Sequence, residues 1–215
     1  WQQDGRLYEL KCQPLWQSPQ ILLGYLLLCR DTTERQSYLA QLHTHAQTDD
    51  LTGVLNRRAL LQVMEQVLSA AWQASTPPAL SMVLLDIDHF KQLNDQQGHQ
   101  IGDLMLRQLT AQLQQSLQAY EHLGCYGGDE FVLILPGSDR EQALVRMQAL
   151  NQQVQQQLGI SLSLGIADFQ PHDTVRRWLY RADLALYQAK RSGRRQACLA
   201  EAPAGGLLPE LAGFR

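Results

Sequence analysis

The sequence predicts an α+β fold, with α/β-like features, in which helices flank a central β-sheet. Segments with apolar residues at helical spacing alternate with short apolar segments that are typical of strands. From residue 49 onward their order is helix, strand, helix, helix, strand, turn, strand, helix, strand, helix, strand. Such an order favours helices packed on one sheet. An apolar content of 45% and a charged content of 18% over 215 residues are typical of a globular protein.

The N-terminal residues predict a small separate β segment, residues 1–31. Residues 6–12 alternate apolar and polar side chains, and residues 21–29 form a second apolar run. A loop with Pro14 and Pro19 is expected between these two strands. Residues 32–48 then have the pattern of a linker helix, which a side chain at its start can cap.

From residue 49 the chain predicts a larger domain that extends to residue 200. A turn leads into a helix that ends near residue 72, and residues 80–87 form a continuous apolar run typical of a central strand buried on both faces. The remaining predicted elements are a helix at 101–118, strands near 122–126 and 131–135, a helix at 139–158, a strand at 160–167, a helix at 174–191 and a short strand at 195–199. The tail, 201–215, has no clear period and is expected to be loosely attached.

Composition excludes several classes of protein. The net charge of −3 argues against a broad nucleic-acid-binding surface. The four cysteines are scattered without a CxxC pair, which argues against a zinc site. The longest apolar run, residues 21–28, is shorter than the roughly 20 residues that span a bilayer. No signal peptide is visible, so we expect a cytoplasmic domain, with membrane anchoring of a full-length protein left open.

The stretch CYGGDEFVLILP, residues 125–136, places two glycines and two carboxylates between predicted strands. Gly127 and Gly128 are typical of a tight hairpin turn, and acids beside a turn are often only solvated. Alternatively, the glycines let a large ligand approach the backbone while Asp129 and Glu130 hold a metal ion. The stretch by itself does not decide between these two interpretations.

A second acidic group, Asp86 and Asp88, follows the predicted central strand. A carboxylate at the end of a buried strand needs a partner or a metal ion, and we interpret Asp86 as a metal ligand. Asp88 has a simpler interpretation, as the cap of the next helix. Oxygen ligands without a cysteine or histidine cluster favour Mg²⁺. If the sheet brings Asp129 and Glu130 beside Asp86, the group suits metal-assisted phosphoryl or nucleotidyl transfer.

Five co-linear motifs resemble the GGDEF family, the diguanylate cyclases, over roughly residues 49–199. These motifs are TDDLTGVLNRR, DIDHFKQLNDQQGHQIGD, YGGDEFVLILP, SLSLGIA and RADLALYQAKRSGRR. The resemblance implies a palm-like fold with a mostly antiparallel sheet. It also implies the joining of two GTP molecules into cyclic di-GMP with release of pyrophosphate, by a homodimer that binds one GTP per subunit.

The same resemblance implies a Mg²⁺ or Mn²⁺ site. Asp86, the backbone carbonyl of Ile87 and Glu130 would hold the metal ion. Asp129 would be a second acid near the attacking 3′-hydroxyl, either as a metal ligand or as a general base. The sequence leaves the division of roles between Asp129 and Glu130 open.

The resemblance further implies a set of substrate-binding residues. Asn94 and Asp103 would read the guanine base, since an amide and a carboxylate can pair with its donor-rich edge. His99 would shape the base pocket, in a structural rather than a catalytic role. The remaining implied contacts are the helix start at Phe90 and Lys91 for phosphate, the open turn at Gly127 and Gly128, and the cations Lys190 and Arg194 for the terminal phosphates.

Two positions depart from the pattern of the family. Gln118 and Glu121 stand where many members carry the RxxD motif of a product-inhibition site, so no such site is expected here. Cys125 stands where members usually carry an arginine, and a thiol cannot neutralise phosphate charge. This second departure supports an alternative function, a weak or inactive GTP-binding regulatory module.

The first thirty residues resemble the last strands of a PAS sensor domain, and DTTER, residues 31–35, resembles its exit motif. This shorter resemblance implies an upstream sensor domain as a partner in the full-length protein. Residues 32–48 would then pass the signal to the larger domain.

Overall fold

The computed structural model describes residues 2–3, 6–33 and 47–201. The chain divides into two compact units, Trp1–Gln47 and Thr48–Arg215. Most of the predicted linker helix, residues 34–46, and the tail beyond residue 201 lie outside the described residues. No helix in the described part of the chain is both long and apolar enough to cross a bilayer.

The described residues of the N-terminal unit form three antiparallel strands, β1 (Gln2–Gln3), β2 (Arg6–Ser18) and β3 (Ile21–Asp31). The two predicted strands are therefore present, but the predicted loop at Pro14 is wrong because β2 continues through this residue. Pro14 pairs with Tyr25, whereas β1 reaches only the first two residues of β2. At Pro14 the other edge of β2 has no strand partner among the described residues, and such an edge tolerates a residue without an N–H group.

The larger unit contains five described helices and five strands. In chain order they are α1 (Arg57–Gln73), β4 (Leu80–Ile87), α2 (Phe90–Gln97), α3 (His99–Gln115), β5 (His122–Gly127), β6 (Glu130–Pro136), α4 (Arg140–Leu158), β7 (Leu162–Asp168), α5 (Val175–Arg191) and β8 (Ala197–Leu199). This order agrees with the prediction, and the predicted bounds differ from the observed ones by a few residues.

The five strands form one sheet with the order β5-β6-β4-β7-β8. All neighbours are antiparallel except β7 and β8, which are parallel. The predicted mostly antiparallel sheet of an α+β fold is thus confirmed. Strand β4 lies at its centre, and its side chains enter two separate cores, Val83 and Leu85 on one face and Met82 and Leu84 on the other. This explains its continuous apolar run.

Local capping interactions determine where several helices begin. Asn56 caps α1 by accepting a hydrogen bond from the N–H of Ala59. Asp139 and Gln142 form a reciprocal capping box at the start of α4. These caps satisfy N–H groups that have no partner within the helix.

Helix α5 packs closely on β7 because Gly165 has no side chain. A Cβ atom at this position would lie 2.0 Å from the carbonyl oxygen of Ala182 and 2.3 Å from the backbone nitrogen of Leu186. The fully buried Trp178 adds a hydrogen bond of 2.9 Å from its Nε1 to the carbonyl of Ala167. The position of α5 relative to the sheet therefore depends on this contact.

Gly165→Ala should destabilise the fold by about 3 kcal/mol or more, because the clash is with backbone atoms that cannot change rotamer. Chemical denaturation would measure the loss. Gly127→Ala is the matched control, because a Cβ atom there has nothing within 4 Å. This control should stay within about 1 kcal/mol of the wild type. Equal stability of the two variants would contradict the role of Gly165.

Candidate active site

The sheet brings the two predicted acidic groups together at one end. Strands β4 and β6 are neighbours, and their register places Asp86 directly opposite Glu130. Asp129 immediately precedes Glu130, in the turn between β5 and β6. The conditional expectation that this turn lies beside the end of β4 is therefore met.

The turn leaves open space in front of the acids. Gly128 has a φ of 56°, a left-handed conformation that favours glycine. Gly127 and Gly128 are exposed, and a Cβ atom built on either has no neighbour within 4 Å. The space in front of Gly127 is therefore open in the part of the chain that the structure describes.

Lys190 supplies the positive charge closest to the acids. Its Nζ lies 2.7 Å from Oδ2 of Asp86, and both side chains are partly buried. Helix α5 delivers this lysine from its last turn. The predicted phosphate-binding lysine thus contacts a predicted metal ligand.

The positive charge of Lys190 does not fully compensate for the burial of the acids. Burial raises the pKa of Asp86, and Lys190 only partly offsets this. Burial also raises the pKa of Glu130, and the charge of Asp86 adds to the effect. On α5, burial raises the pKa of Asp183, a residue that the sequence interpretation missed. A cation bound here would favour the ionised form of all three carboxyl groups.

The donor set fits a hard cation with few protein ligands. Among the described residues, no three His, Cys, Asp or Glu side chains form a group that could hold a metal ion. Asp86 and Glu130 are two facing carboxylates. Mg²⁺ is commonly bound by one or two carboxylates together with substrate phosphates and water. The arrangement therefore fits a hard cation such as Mg²⁺ that keeps several ligands from outside the protein.

A buried acceptor lies between α2 and α3. Oδ1 of Asn94 is buried and has no hydrogen-bond partner within the part of the chain that the structure describes. It occupies the notch left by Gly102, where a Cβ atom would lie 1.8 Å from it. The predicted residue Asp103 follows Gly102 and is half-buried, while His99 is exposed at the first position of α3. Asn94 therefore lies against the first turn of α3.

The start of α2 differs from the prediction. Phe90 and Lys91 are its first two residues, as expected, but Asp88 does not cap the helix. The N-cap is His89, with a φ of 60° and no side-chain hydrogen bond. Asp88 is instead buried and accepts hydrogen bonds from Ser161 and Ser163 of the β7 region. The capping interpretation was wrong because these distant hydroxyl groups take the carboxylate inward.

The second predicted phosphate-binding cation, Arg194, lies in the turn after α5. It is exposed and has a φ of 63°, and its N–H donates to the carbonyl of Ala189. The structure therefore places Arg194 in the segment that directly follows Lys190.

The two positions that replace the RxxD motif form a structural contact. Glu121 has a nearly fully buried side chain that pairs with Arg146 of α4, with 2.8 Å between Nη2 and Oε2. Its Oε2 also accepts a hydrogen bond of 2.8 Å from the N–H of Gln118. Sequence interpretation missed Arg146, because nothing local marks it as a partner of Glu121.

A cleft of about 510 Å³ lies beside Glu130. Tyr126 and Asp183 line it, and the guanidinium of Arg57 lies 4.7 Å from the centre of the Tyr126 ring. The neighbouring Cys125 is half-buried, and burial together with the charge of Asp49 raises the pKa of its thiol to about 11. Cys125 is therefore neutral at physiological pH.

In metal-free buffer, Glu130→Gln should raise the melting temperature at neutral pH. The raised pKa of Glu130 means that the folded protein loses stability as the pH rises from the ordinary value of 4.5 through the folded value. Glutamine removes this charge, so a gain of about 2–4 °C at pH 7.5 is expected, and it should vanish toward pH 4.5. Calorimetry in EDTA would measure the melting temperatures of the wild type and the variant at each pH.

Glu141→Gln is the control for that comparison. This exposed glutamate pairs with Arg140, which lowers its pKa, so the substitution should not raise the melting temperature. A Glu130→Gln variant that melts below the wild type at pH 7.5 would contradict the electrostatic account of the site.

Comparison with known proteins identifies the family of the larger unit. Residues 46–196 match the family described as "Diguanylate cyclase, GGDEF domain". The probable diguanylate cyclase DgcC of Escherichia coli strain K12 is 33% identical over 192 residues, which cover 83% of this chain and 51% of DgcC. Diguanylate cyclase DgcP of Pseudomonas aeruginosa strain PAO1 is 34% identical over 173 residues, 77% of this chain and 26% of DgcP. The chain thus spans about half or less of the length of these curated relatives.

Solved structures agree with this match. The coiled coil and GGDEF domain of DgcB from Caulobacter crescentus, crystallised with c-di-GMP, gives a TM-score of 0.74 at 29% identity, over 78% of this chain and 92% of that one. Diguanylate cyclase SiaD from Pseudomonas aeruginosa, in complex with its activator SiaC, gives 0.70 at 29% identity, over 79% of this chain and 67% of that one. The resemblance predicted from the sequence is thus confirmed, and the chain belongs to the GGDEF diguanylate cyclase family.

Proposed function

We propose that this chain is a diguanylate cyclase, which joins two GTP molecules into cyclic di-GMP. The observation that carries the proposal is the pairing of Asp86 with Glu130 beside an open glycine turn. The named activity of the curated relatives supports it. The proposed active form is a homodimer with one GTP per subunit, since each nucleotide must both attack the other through its 3′-hydroxyl and be attacked by the other at its α-phosphorus.

In each of the two transfers, a 3′-hydroxyl oxygen attacks the α-phosphorus of the other GTP. A bond forms between these two atoms, the bond from the α-phosphorus to the bridging oxygen breaks, and pyrophosphate leaves. Asp86, the carbonyl of Ile87 and Glu130 would hold Mg²⁺ or Mn²⁺, which supplies charge neutralisation for the phosphates. Asp129 and Glu130 are the acids closest to the open turn, and one of them would accept the proton of the hydroxyl.

Basic groups of the chain would position the phosphates. Lys190 lies at the acids already, and Arg194 lies in the next turn of the chain. The first turn of α2, at Phe90 and Lys91, would add backbone N–H groups at a helix N-terminus. In-line transfer depends mainly on such positioning and on charge stabilisation, so few protein groups are needed.

The position of Asn94 against the first turn of α3, next to Asp103 in the chain order of that turn, supports guanine as the base. An amide that turns toward a bound base can pair with the N–H groups that guanine presents on its pairing edge. Asp103 would accept from the same edge, and His99 would border the pocket. Adenine lacks this arrangement of donors, so GTP should be preferred over ATP.

Cys125 favours one alternative, a GTP-binding regulatory module with weak or no synthesis. Its thiol, whose pKa is raised to about 11, brings no positive charge to the site. In this second function the chain would bind GTP through the same residues without converting it.

Incubation of the purified chain with GTP and Mg²⁺, followed by chromatography and mass spectrometry, tests the proposal. The wild type should form cyclic di-GMP and pyrophosphate. Glu130→Gln should lower the rate about 100-fold or more, because it removes a carboxylate from the reacting centre. Glu141→Gln is the control and should retain the rate. Bound GTP without product in the wild type would favour the regulatory module, and a gain of activity in Cys125→Arg would then identify the cause.

We further propose that cyclic di-GMP does not inhibit this chain tightly through the positions of the RxxD motif. Glu121 is occupied by Arg146, and Gln118 cannot form a bidentate contact with phosphate. Initial rates of pyrophosphate release with added product would measure inhibition. Gln118→Arg is the matched variant and should bind the product more tightly than the wild type. Strong inhibition of the wild type by cyclic di-GMP would contradict the proposal.

A further inference from the structure

The carboxylate of Asp88, which directly follows β4, is buried and accepts three hydrogen bonds from distant parts of the chain. Its Oδ1 accepts from Oγ of Ser163 at 2.6 Å, and its Oδ2 accepts from Oγ of Ser161 at 2.7 Å. Oδ2 also accepts from the backbone N–H of Arg195 at 3.1 Å. Only 9% of the residue is exposed. The three hydrogen bonds hold this buried carboxylate in one position.

The third donor belongs to a turn with an unusual backbone. After α5, three successive residues have positive φ angles, Gly193 at 107°, Arg194 at 63° and Arg195 at 54°. Arginine rarely adopts this conformation, which persists only where the surrounding structure holds it. The turn therefore needs interactions that compensate for two strained residues.

Backbone hydrogen bonds hold the two ends of this turn. The N–H of Arg194 donates to the carbonyl of Ala189 at 3.0 Å, and the N–H of Leu164 donates to the carbonyl of Gln196 at 3.0 Å. Between these two anchors lies the N–H of Arg195, which the carboxylate of Asp88 takes. Asp88 thus ties the middle of the turn to the end of β4.

Two other roles for Asp88 fit the structure less well. It does not cap α2, because His89 occupies that position. As a metal ligand it would have to bind the ion through oxygens that already accept three hydrogen bonds, in a side chain with little exposed surface. The contacts of Asp88 lead toward the turn and β7.

We propose that Asp88 is a positioning residue for substrate binding, which acts by holding the turn that carries Arg194. The turn continues directly from Lys190, which ion-pairs with Asp86 two residues before Asp88. The strand end that carries the acids therefore also sets the place of the phosphate-binding arginine. This inference rests on the proposed function, since it assumes that Arg194 meets the phosphates of GTP.

The first test measures the turn itself. Hydrogen exchange of the full chain should show a protected amide at Arg195 in the wild type and at least about tenfold faster exchange in Asp88→Ala, because its acceptor is lost. Asp88→Asn should restore protection. Its amide oxygen can accept from Arg195 and Ser161, and its nitrogen can donate to Oγ of Ser163. Unchanged exchange in Asp88→Ala overturns the inference.

The second test measures the consequence for GTP. Asp88→Ala should raise KM about tenfold, the effect of losing one hydrogen bond to a charged group, with a smaller change in kcat. Asp88→Asn should recover most of the affinity. The concentration of Mg²⁺ for half-maximal rate should stay unchanged in both variants. If both variants need more Mg²⁺, Asp88 is a metal ligand and the inference is wrong.

A control and a double variant separate positioning from general stability. Asp173→Ala removes another buried carboxylate, which lies just before the start of α5 and pairs with Arg181, and it should lower stability without raising KM. In an Arg194→Ala background, Asp88→Ala should add little to KM, because both changes remove the same contact. Additive effects would contradict action through Arg194.

The wild type distinguishes failure of this inference from failure of the proposed function. If the wild type converts GTP and Asp88→Ala keeps both its KM and the protection of Arg195, only the inference fails. If the wild type neither binds nor converts GTP, the proposed function and this inference are both wrong.

Discussion

The carboxylates of Asp86 and Glu130 lie on neighbouring strands in register, at one end of the sheet, where burial opposes their charge. Antiparallel pairing of β4 with β6 imposes this arrangement, since the register leaves neither acid free to move away. The ammonium group of Lys190 offsets part of the cost, yet burial still raises the pKa of both acids. The fold therefore holds two acids whose charge a bound cation could neutralise. Without such a cation, their burial lowers the stability of the folded protein.

Helix α5 connects this electrostatic constraint to the hydrophobic core. Its contact with β7 at Gly165 and the buried ring of Trp178 determine where the helix lies. The same helix carries Asp183 and Lys190 toward the acids, and it ends in the turn that contains Arg194. Core packing and charge placement are thus properties of one element, and a shift of α5 would alter both.

The departures from the family pattern lie outside the acid pair. Glu121 has become part of a buried ion pair with Arg146, so a position used for ligand binding in many members stabilises the fold here. Cys125 has become a half-buried neutral thiol beside Tyr126. Neither change alters the register that places Asp86 opposite its partner. The chain therefore retains the pairing of these two acids while their surroundings differ.

The sequence by itself determined the order of the elements, the central strand and the identity of the acids, because apolar periodicity and short motifs are local properties. It did not determine which distant groups meet. Asp88 was interpreted as a helix cap because its partners, Ser161 and Ser163, lie more than seventy residues away in the chain. The pairing of Glu121 with Arg146 could not be predicted from the sequence either, because the two residues are 25 positions apart. Only the tertiary structure decided these contacts, because strand register and helix packing bring together side chains that no local pattern connects.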